Sequence, residues 1–156
     1  MEIKNNQNGI YKIAEVEVIY RSKVKPSERP KIITSKDAYE MFIQHWDCNL
    51  IELQEQFKVM YLNRANKVMF IYELSTGGLT GTVADPRLIF CIALKTASSS
   101  IMLCHNHPSG NLMPSRADEE LTQKIKEAGK FLDIRLLDHL IVTEDSYYSF
   151  ADQGLV

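Results

Sequence analysis

The sequence predicts an α/β chain of the α+β type, in which a mixed β-sheet is flanked by helices. Apolar segments of strand length alternate along the chain with amphipathic segments of helix length, and one strand near residue 100 is apolar enough to be covered on both faces. The length of 156 residues, with 45% hydrophobic and 24% charged residues, suits one globular domain. We therefore predict a disordered N-terminus over residues 1–10 and a single domain over residues 11–156.

The N-terminal third is predicted to form a strand, a loop and a helix. Residues 11–20 alternate apolar with polar side chains, which indicates a strand with one buried face. Residues 21–31 contain five basic residues and two prolines, which favours a loop. Thr34 or Ser35 can then cap a helix that runs to Trp46, because apolar side chains recur there every three or four residues.

The middle of the chain is predicted to form a hairpin followed by a second helix. Residues 56–62 and 67–74 resemble strands, and the four residues between them are typical of a turn. A Ser-Thr-Gly-Gly break follows, after which residues 79–83 resume the strand pattern. An Asp-Pro pair then supplies a cap and an N1 proline for a helix over residues 88–97.

The C-terminal third is predicted to contain the central strand and the polar motif of the chain. Residues 99–104 form a compact strand that runs directly into two histidines. A third amphipathic helix begins at Pro114 and Ser115, and strands are predicted over residues 134–142 and 147–150. The histidines are thus expected where a central strand becomes a loop.

Two histidines and an aspartate stand at the spacing H-x-H-x7-S-x2-D, which predicts a metal site. Side chains two residues apart on an extended segment leave the same face, so His105 and His107 can converge on one ion while Asn106 points away. Reversal of the glycine-containing loop 108–114 brings Asp118, in the first turn of the third helix, over the histidines. Three such ligands are the set that catalytic zinc uses, since the fourth position then holds water.

Several of these residues also have plainer interpretations. Ser115 and Asp118 together have the outline of a helix capping box, and both roles can coexist at Ser115. Cys104 precedes His105, but strand alternation puts the two side chains on opposite faces, so Cys104 is predicted to be core. His139 follows an aspartate in an apolar strand, where a hydrogen-bonded structural histidine is favoured and a supporting or substrate-binding role stays open.

Attack by a metal-activated water on an amide also needs a carboxylate that moves protons without binding the metal. Glu55 and Glu52 both stand before the first strand of the hairpin, and Glu55 shares a face with its apolar residues. An acidic residue at the start of a strand is commonly a solvated edge residue. The residues alone leave the choice between the two glutamates open.

Bulk composition excludes several classes of protein. A formal charge of −2 and a pI near 6.1 give no field that attracts nucleic acid or an anionic membrane. No apolar stretch approaches the roughly 20 residues that span a bilayer, and the N-terminus lacks a secretory signal. Three widely spaced cysteines indicate free thiols in a reducing compartment, so we expect a cytoplasmic protein.

The segment from His105 to Asp118 resembles the metal motif of the JAB1/MPN (JAMM) metalloproteases, and the chain as a whole resembles their RadC-like branch. The likeness covers roughly residues 12–155. It is carried by Glu55–Val59, Leu62–Asn63, Ser75–Gly78, Asp85–Arg87, His105–Gly110, Pro114–Asp118, Leu137–His139 and Tyr148–Phe150.

This resemblance implies a cytidine-deaminase-like JAB/MPN fold with one zinc ion held by His105, His107 and Asp118. It also implies that Glu55, rather than Glu52, is the general acid/base, and that Ser115 supports the oxyanion. The expected reaction is hydrolysis of a peptide or isopeptide bond in a protein or peptide substrate. Members of this branch commonly carry a helix-hairpin-helix DNA-binding segment ahead of the domain, which is expected to be absent here.

Two other functions stay open at this point. A JAB-fold module associated with DNA repair or protein interaction, with a metal kept for stability, has local support only in the basic loop 21–31. A metal-dependent nuclease is the other, because zinc-bound hydroxide attacks phosphodiesters as well as amides. The candidate acid/base favours the enzyme, as does a ligand set of three, because structural zinc normally has four protein ligands. Nothing in the sequence indicates an oligomeric state.

Overall fold

The computed structural model of the protein describes residues 19–77 and 83–156. Five strands form one sheet in the order β2-β1-β3-β4-β5. Neighbouring strands are antiparallel except β3 and β4, which are parallel, so the predicted mixed sheet with flanking helices is confirmed. The elements are α1 (Ser35–Gln44), β1 (Gln56–Leu62), β2 (Val68–Thr76), α2 (Pro86–Lys95), β3 (Ser100–Asn106), α3 (Arg116–Phe131), β4 (Arg135–Val142) and β5 (Tyr147–Ser149).

The sheet separates two apolar cores. On one face, α1 packs through Ala38 and Phe42 against the even-numbered residues of β3, Met102 and Cys104. On the other face, α2 and α3 pack against the odd-numbered residues of β1 and β3. Every residue of β3 is buried, as predicted for a central strand covered on both faces. This alternation places Cys104 in the α1 core and directs His105 to the opposite face, beneath α3, as predicted.

Side-chain caps fix where the helices begin. Thr34 and Asp37 form a capping box on α1, so Thr34 rather than Ser35 is the cap. Asp85 caps α2 by accepting a hydrogen bond from the backbone of Arg87, as the Asp-Pro pair predicted. Ser115 caps α3. Each cap had been expected from the sequence, and the one on α3 sets the position of Asp118.

Some predicted boundaries differ from the structure. The strand predicted over 99–104 continues to Asn106, so His105 lies within β3 rather than at its end. The helix predicted over 88–97 is Pro86–Lys95, because Ala97 adopts a positive φ of 52° that ends it. Loop 21–31 contains a short 3₁₀ turn, Pro26–Glu28, and one bridge to the β1–β2 hairpin.

Other predictions fall where the structure gives no description. The N-terminus over residues 1–10 lies outside the described residues, and so does the strand over 11–20 except for Ile19 and Tyr20, which are not in a strand. Of the segment 79–83 only Val83 is described, and it too is outside any strand. None of the helices in the described part of the chain is long and apolar enough to cross a membrane.

Candidate metal centre

Three side chains converge where the C-terminal end of β3 meets the first turn of α3. Nitrogen atoms of His105 and His107 and a carboxylate oxygen of Asp118 lie within 4.8 Å of one another. The chain reverses between them through a turn at Gly110, whose φ of +78° favours glycine and whose N–H donates to the carbonyl of His107. Sequence spacing had predicted this meeting.

The distances within the cluster are those of groups arranged around a small ion. His105 Nε2 lies 3.0 Å from His107 Nε2 and 3.2 Å from Asp118 Oδ1, and His107 Nε2 lies 3.8 Å from Asp118 Oδ2. The His105 side chain is 1% exposed, whereas those of His107 and Asp118 are 17% and 16% exposed. The cluster is therefore closed on the β3 side and open to solvent on the other.

The ring of His107 is oriented by the loop that follows it. Its Nδ1 lies 2.5 Å from the carbonyl oxygen of Asn111. A carbonyl can only accept, so Nδ1 is the donor and the Nε2 lone pair of the neutral ring faces His105 and Asp118. A cation between the rings suits this arrangement, because it would bind the lone pair of His107 Nε2 and attract the charge of Asp118. The donor set therefore fits a divalent metal ion.

Asp118 divides its two carboxylate oxygens between two tasks. Oδ2 accepts hydrogen bonds from the backbone N–H and the hydroxyl of Ser115, at 2.7 and 2.6 Å, and completes the capping box. Oδ1 faces His105 Nε2. Burial raises the pKa of Asp118, but the contacts with His105 and Ser115 outweigh it and hold that pKa well below its ordinary value. The carboxylate is therefore ionised, as a metal ligand needs to be.

Glu55 lines the cleft that opens onto this cluster. The cleft, of about 410 Å³, is formed by Glu55, His107 and Ser115 together with residues of the loop 108–114. Glu55 is half-buried, whereas Glu52 is exposed and does not line the cleft. Of the two carboxylates that the sequence left open, only Glu55 is placed beside the candidate ligands. Its predicted role in proton transfer stays a prediction.

Ser115 also reaches the cleft, with its hydroxyl engaged by α3. That hydroxyl donates to Asp118 Oδ2 and accepts from the Asp118 N–H at 3.2 Å. To donate to a substrate oxyanion, the hydroxyl proton would have to leave the carboxylate. The capping role predicted for Ser115 is thus present in the structure, and its predicted catalytic role stays a prediction.

A fully buried amide fixes the segment that carries Glu55 to the strand that carries the ligands. The Asn106 side chain points to the opposite face from His105, as predicted, and lies under the loop before β1. Its Nδ2 donates to the carbonyls of Ile51 and Gln54 at 2.6 and 2.9 Å, and its Oδ1 accepts from the N–H of Gln56 at 2.7 Å. Three hydrogen bonds on both sides of Glu55 thereby set its distance from β3.

We expect Asn106→Ala to destabilise the protein by about 2–4 kcal/mol, because it leaves up to three backbone groups under the loop unpaired. Urea denaturation would measure this loss. Asn49→Ala is a suitable control, since Asn49 lies in the same loop, is exposed, and donates hydrogen bonds to Asp47 within that loop. Equal stability of the two variants would show that Asn106 does not hold the loop.

Of the two residues behind His105, sequence reasoning left a supporting role open for His139 and missed Thr122. His105 Nδ1 lies 2.9 Å from Nε2 of His139, and Nδ1 of that ring lies 2.6 Å from Oγ1 of Thr122 on α3. Burial lowers the pKa of His139 well below its ordinary value, which keeps the ring neutral. His139 thus lies next to a candidate ligand, while Thr122 gave no signal in the sequence.

A larger groove, of about 1060 Å³, lies at the other end of the parallel strands, where β3 and β4 begin. Its walls include Arg64, Lys126 and Arg135, and none of the candidate metal ligands reaches it. The candidate site in this molecule is therefore identified by the convergence of ligand atoms and not by the size of the cavity.

Comparison with known proteins finds one matching family and several relatives. The family model described as the RadC-like JAB domain matches residues 32–155. A UPF0758 protein of Flavobacterium johnsoniae is 48% identical over 126 residues, covering 80% of this chain and 53% of the relative. A UPF0758 protein of Clostridium botulinum is 43% identical over 103 residues, covering 66% of this chain and 45% of the relative. The chain thus spans about half the length of these curated relatives.

Proposed function

This chain belongs to the RadC-like JAB domain family, and we propose from that membership and the site geometry that it is a zinc-dependent hydrolase cleaving a peptide or isopeptide bond. The observation that carries the proposal is the convergence of His105, His107 and Asp118 beside a solvent-open cleft that His107 lines. Three protein ligands with one open side are typical of catalytic rather than structural zinc. The proposed substrate is a protein or peptide.

The donor set supports zinc among the common metals. Two imidazole nitrogens and one carboxylate oxygen, with a fourth position open, suit tetrahedral zinc, whereas magnesium and calcium favour oxygen ligands. A bound zinc ion would lower the pKa of a coordinated water and polarise the substrate carbonyl. We therefore propose one zinc ion per chain, held by the two Nε2 atoms and by Asp118 Oδ1.

Within the cleft, Glu55 is the group proposed to move protons. Its carboxylate takes a proton from the attacking water as the oxygen of that water bonds to the carbonyl carbon. The same group then returns the proton to the leaving nitrogen as the C–N bond breaks, which gives an acid and an amine. The Ser115 hydroxyl, once its proton turns away from Asp118, would donate a hydrogen bond to the oxyanion.

Both alternative functions have less support. A metal kept only for stability is not favoured by a cluster whose His107 and Asp118 remain partly exposed. Two-metal phosphoryl transfer needs further carboxylates. In residues 19–77 and 83–156, His105, His107 and Asp118 form the only cluster of three or more His, Cys, Asp or Glu side chains that could hold a metal ion.

The proposal is tested with the purified protein on a panel of three substrates: fluorogenic peptides, isopeptide-linked conjugates and single-stranded oligonucleotides. We expect cleavage of an amide substrate that stops when a chelator removes the metal and returns on addition of zinc but not magnesium. Amide cleavage that survives complete metal removal would refute the proposal. Metal-dependent cleavage of the oligonucleotides alone would instead favour the nuclease.

A further inference from the structure

Four groups form a continuous buried hydrogen-bond relay that ends at His105, a candidate metal ligand. It runs from the backbone carbonyl of Asp118 to Thr122, then to His139, and then to His105. Thr122, His139 and His105 are 2%, 0% and 1% exposed. Water does not reach these groups, so each donor and acceptor in the chain has to be satisfied by its neighbour.

The direction of each hydrogen bond follows from its first member. The carbonyl of Asp118 can only accept, so the Thr122 hydroxyl, 2.6 Å away, gives its proton to it. Thr122 Oγ1 then has only lone pairs for His139, and His139 Nδ1 is the donor between them. The His139 ring is 0% exposed, and a proton on both nitrogens would make it a buried cation, so with Nδ1 as the donor its Nε2 is bare and accepts from His105 Nδ1. The remaining nitrogen of His105, Nε2, carries a lone pair.

We infer that Thr122 and His139 are positioning residues that fix the His105 ring with its proton on Nδ1 and its Nε2 lone pair directed at the metal. The inference rests on the metal binding proposed above and extends it to two residues that are not themselves candidate ligands. The reverse order of donors would place a proton on His105 Nε2, facing Asp118 Oδ1, where it would block coordination.

The surroundings of His139 keep its ring in one orientation. It stacks on Phe150 with ring centroids 4.8 Å apart and an interplanar angle of 13°, and the Phe57 ring lies 5.7 Å away. Phe57 also stacks on His105 at 5.8 Å. The two imidazoles thus lie between aromatic side chains. Thr122 is one helical turn beyond Asp118 on α3, so the same hydrogen bonds tie the aspartate's helix to the strand that carries His105.

Replacement of Thr122 is the sharpest test, because valine has nearly the same shape but lacks the hydroxyl. We expect Thr122→Val to weaken zinc binding about 10- to 100-fold, the range typical of lost partners behind a metal ligand, whereas Thr122→Ser keeps the wild-type affinity. Competition with a chromogenic chelator measures the affinity, and thermal unfolding of the metal-free variants checks the fold. Equal zinc affinity of the valine, serine and wild-type proteins would overturn the inference.

A second pair of variants tests His139 itself. His139→Gln keeps a polar atom that can accept from His105 Nδ1, whereas His139→Leu has none and still suits a pocket lined by Phe57 and Phe150. We expect the leucine variant to lose zinc affinity by a similar factor, about 10- to 100-fold, and the glutamine variant to retain most of it. Leucine and glutamine variants with the same affinity as wild type would contradict the relay.

The spectroscopic signature of the relay is the protonation of the His105 ring. In the zinc-loaded wild type, long-range ¹H–¹⁵N NMR should show His105 protonated at Nδ1, and His105 protonated at Nε2 would overturn the inference. If the wild type binds zinc and the variants bind it equally well, the relay is refuted and the proposed function stands. Wild-type protein that binds no zinc refutes both.

Discussion

Glu55→Gln should abolish hydrolysis while the protein keeps its zinc. Glutamine has nearly the shape of glutamate but cannot accept the proton of the attacking water, and loss of a positioned general base lowers the rate about 10²- to 10⁴-fold. Glu55 is not among the three clustered ligands, so metal content should stay at the wild-type value. The measurement is kcat on the amide substrate found in the panel, with zinc content determined on the same samples.

The matched control for Glu55→Gln is Glu52→Gln. Glu52 precedes Glu55 by three residues, and the sequence alone left it as a rival for the same role, but it is exposed and does not line the cleft. We expect its replacement to leave kcat unchanged. Retained hydrolysis in Glu55→Gln, or an equal loss in both variants, would remove Glu55 from the proposed reaction.

Asp118→Ala should lose zinc and also lose stability. The substitution removes one of three ligands, so we expect zinc affinity to fall at least about 100-fold. It also removes the capping box on α3, which costs about 0.5–2 kcal/mol. Zinc affinity is measured by chelator competition, and the free energy of unfolding by urea denaturation of the metal-free protein.

Asp37→Ala separates the two effects of Asp118→Ala. Asp37 occupies the same capping-box position on α1 that Asp118 occupies on α3, and it is no part of the ligand cluster. We expect this control to lose stability of the same order and to bind zinc like wild type. Full zinc retention in Asp118→Ala, or equal zinc loss in Asp37→Ala, would contradict the assignment of Asp118 as a ligand.

The convergence of the three candidate ligands could be predicted because it depends on local geometry. Strand alternation was enough to separate Cys104 from His105, and the outline of a capping box was enough to place Ser115 at the start of α3. Both features depend on residues at most three positions apart. The meeting of Asp118 with the histidines needed only one short loop whose glycine permits a reversal.

The support behind the ligands could not be predicted, because it depends on long-range pairing. Asn106 was correctly expected to point away from the metal, but the carbonyls it binds lie 52 and 55 residues earlier in the chain. The pairing of β4 with β3 skips one residue between Leu136 and Asp138. Both Leu136 and His139 therefore face α3. Plain alternation from Leu136 would have placed Asp138 there instead.

Anomalous diffraction at the zinc absorption edge, from crystals of the purified protein, would show whether these three side chains bind a catalytic zinc ion. We expect one anomalous peak per chain, about 2.0–2.2 Å from His105 Nε2, His107 Nε2 and Asp118 Oδ1, with a fourth position open to the cleft that Glu55 lines. A structure with no peak there, or with a fourth protein ligand closing the site, would contradict this expectation.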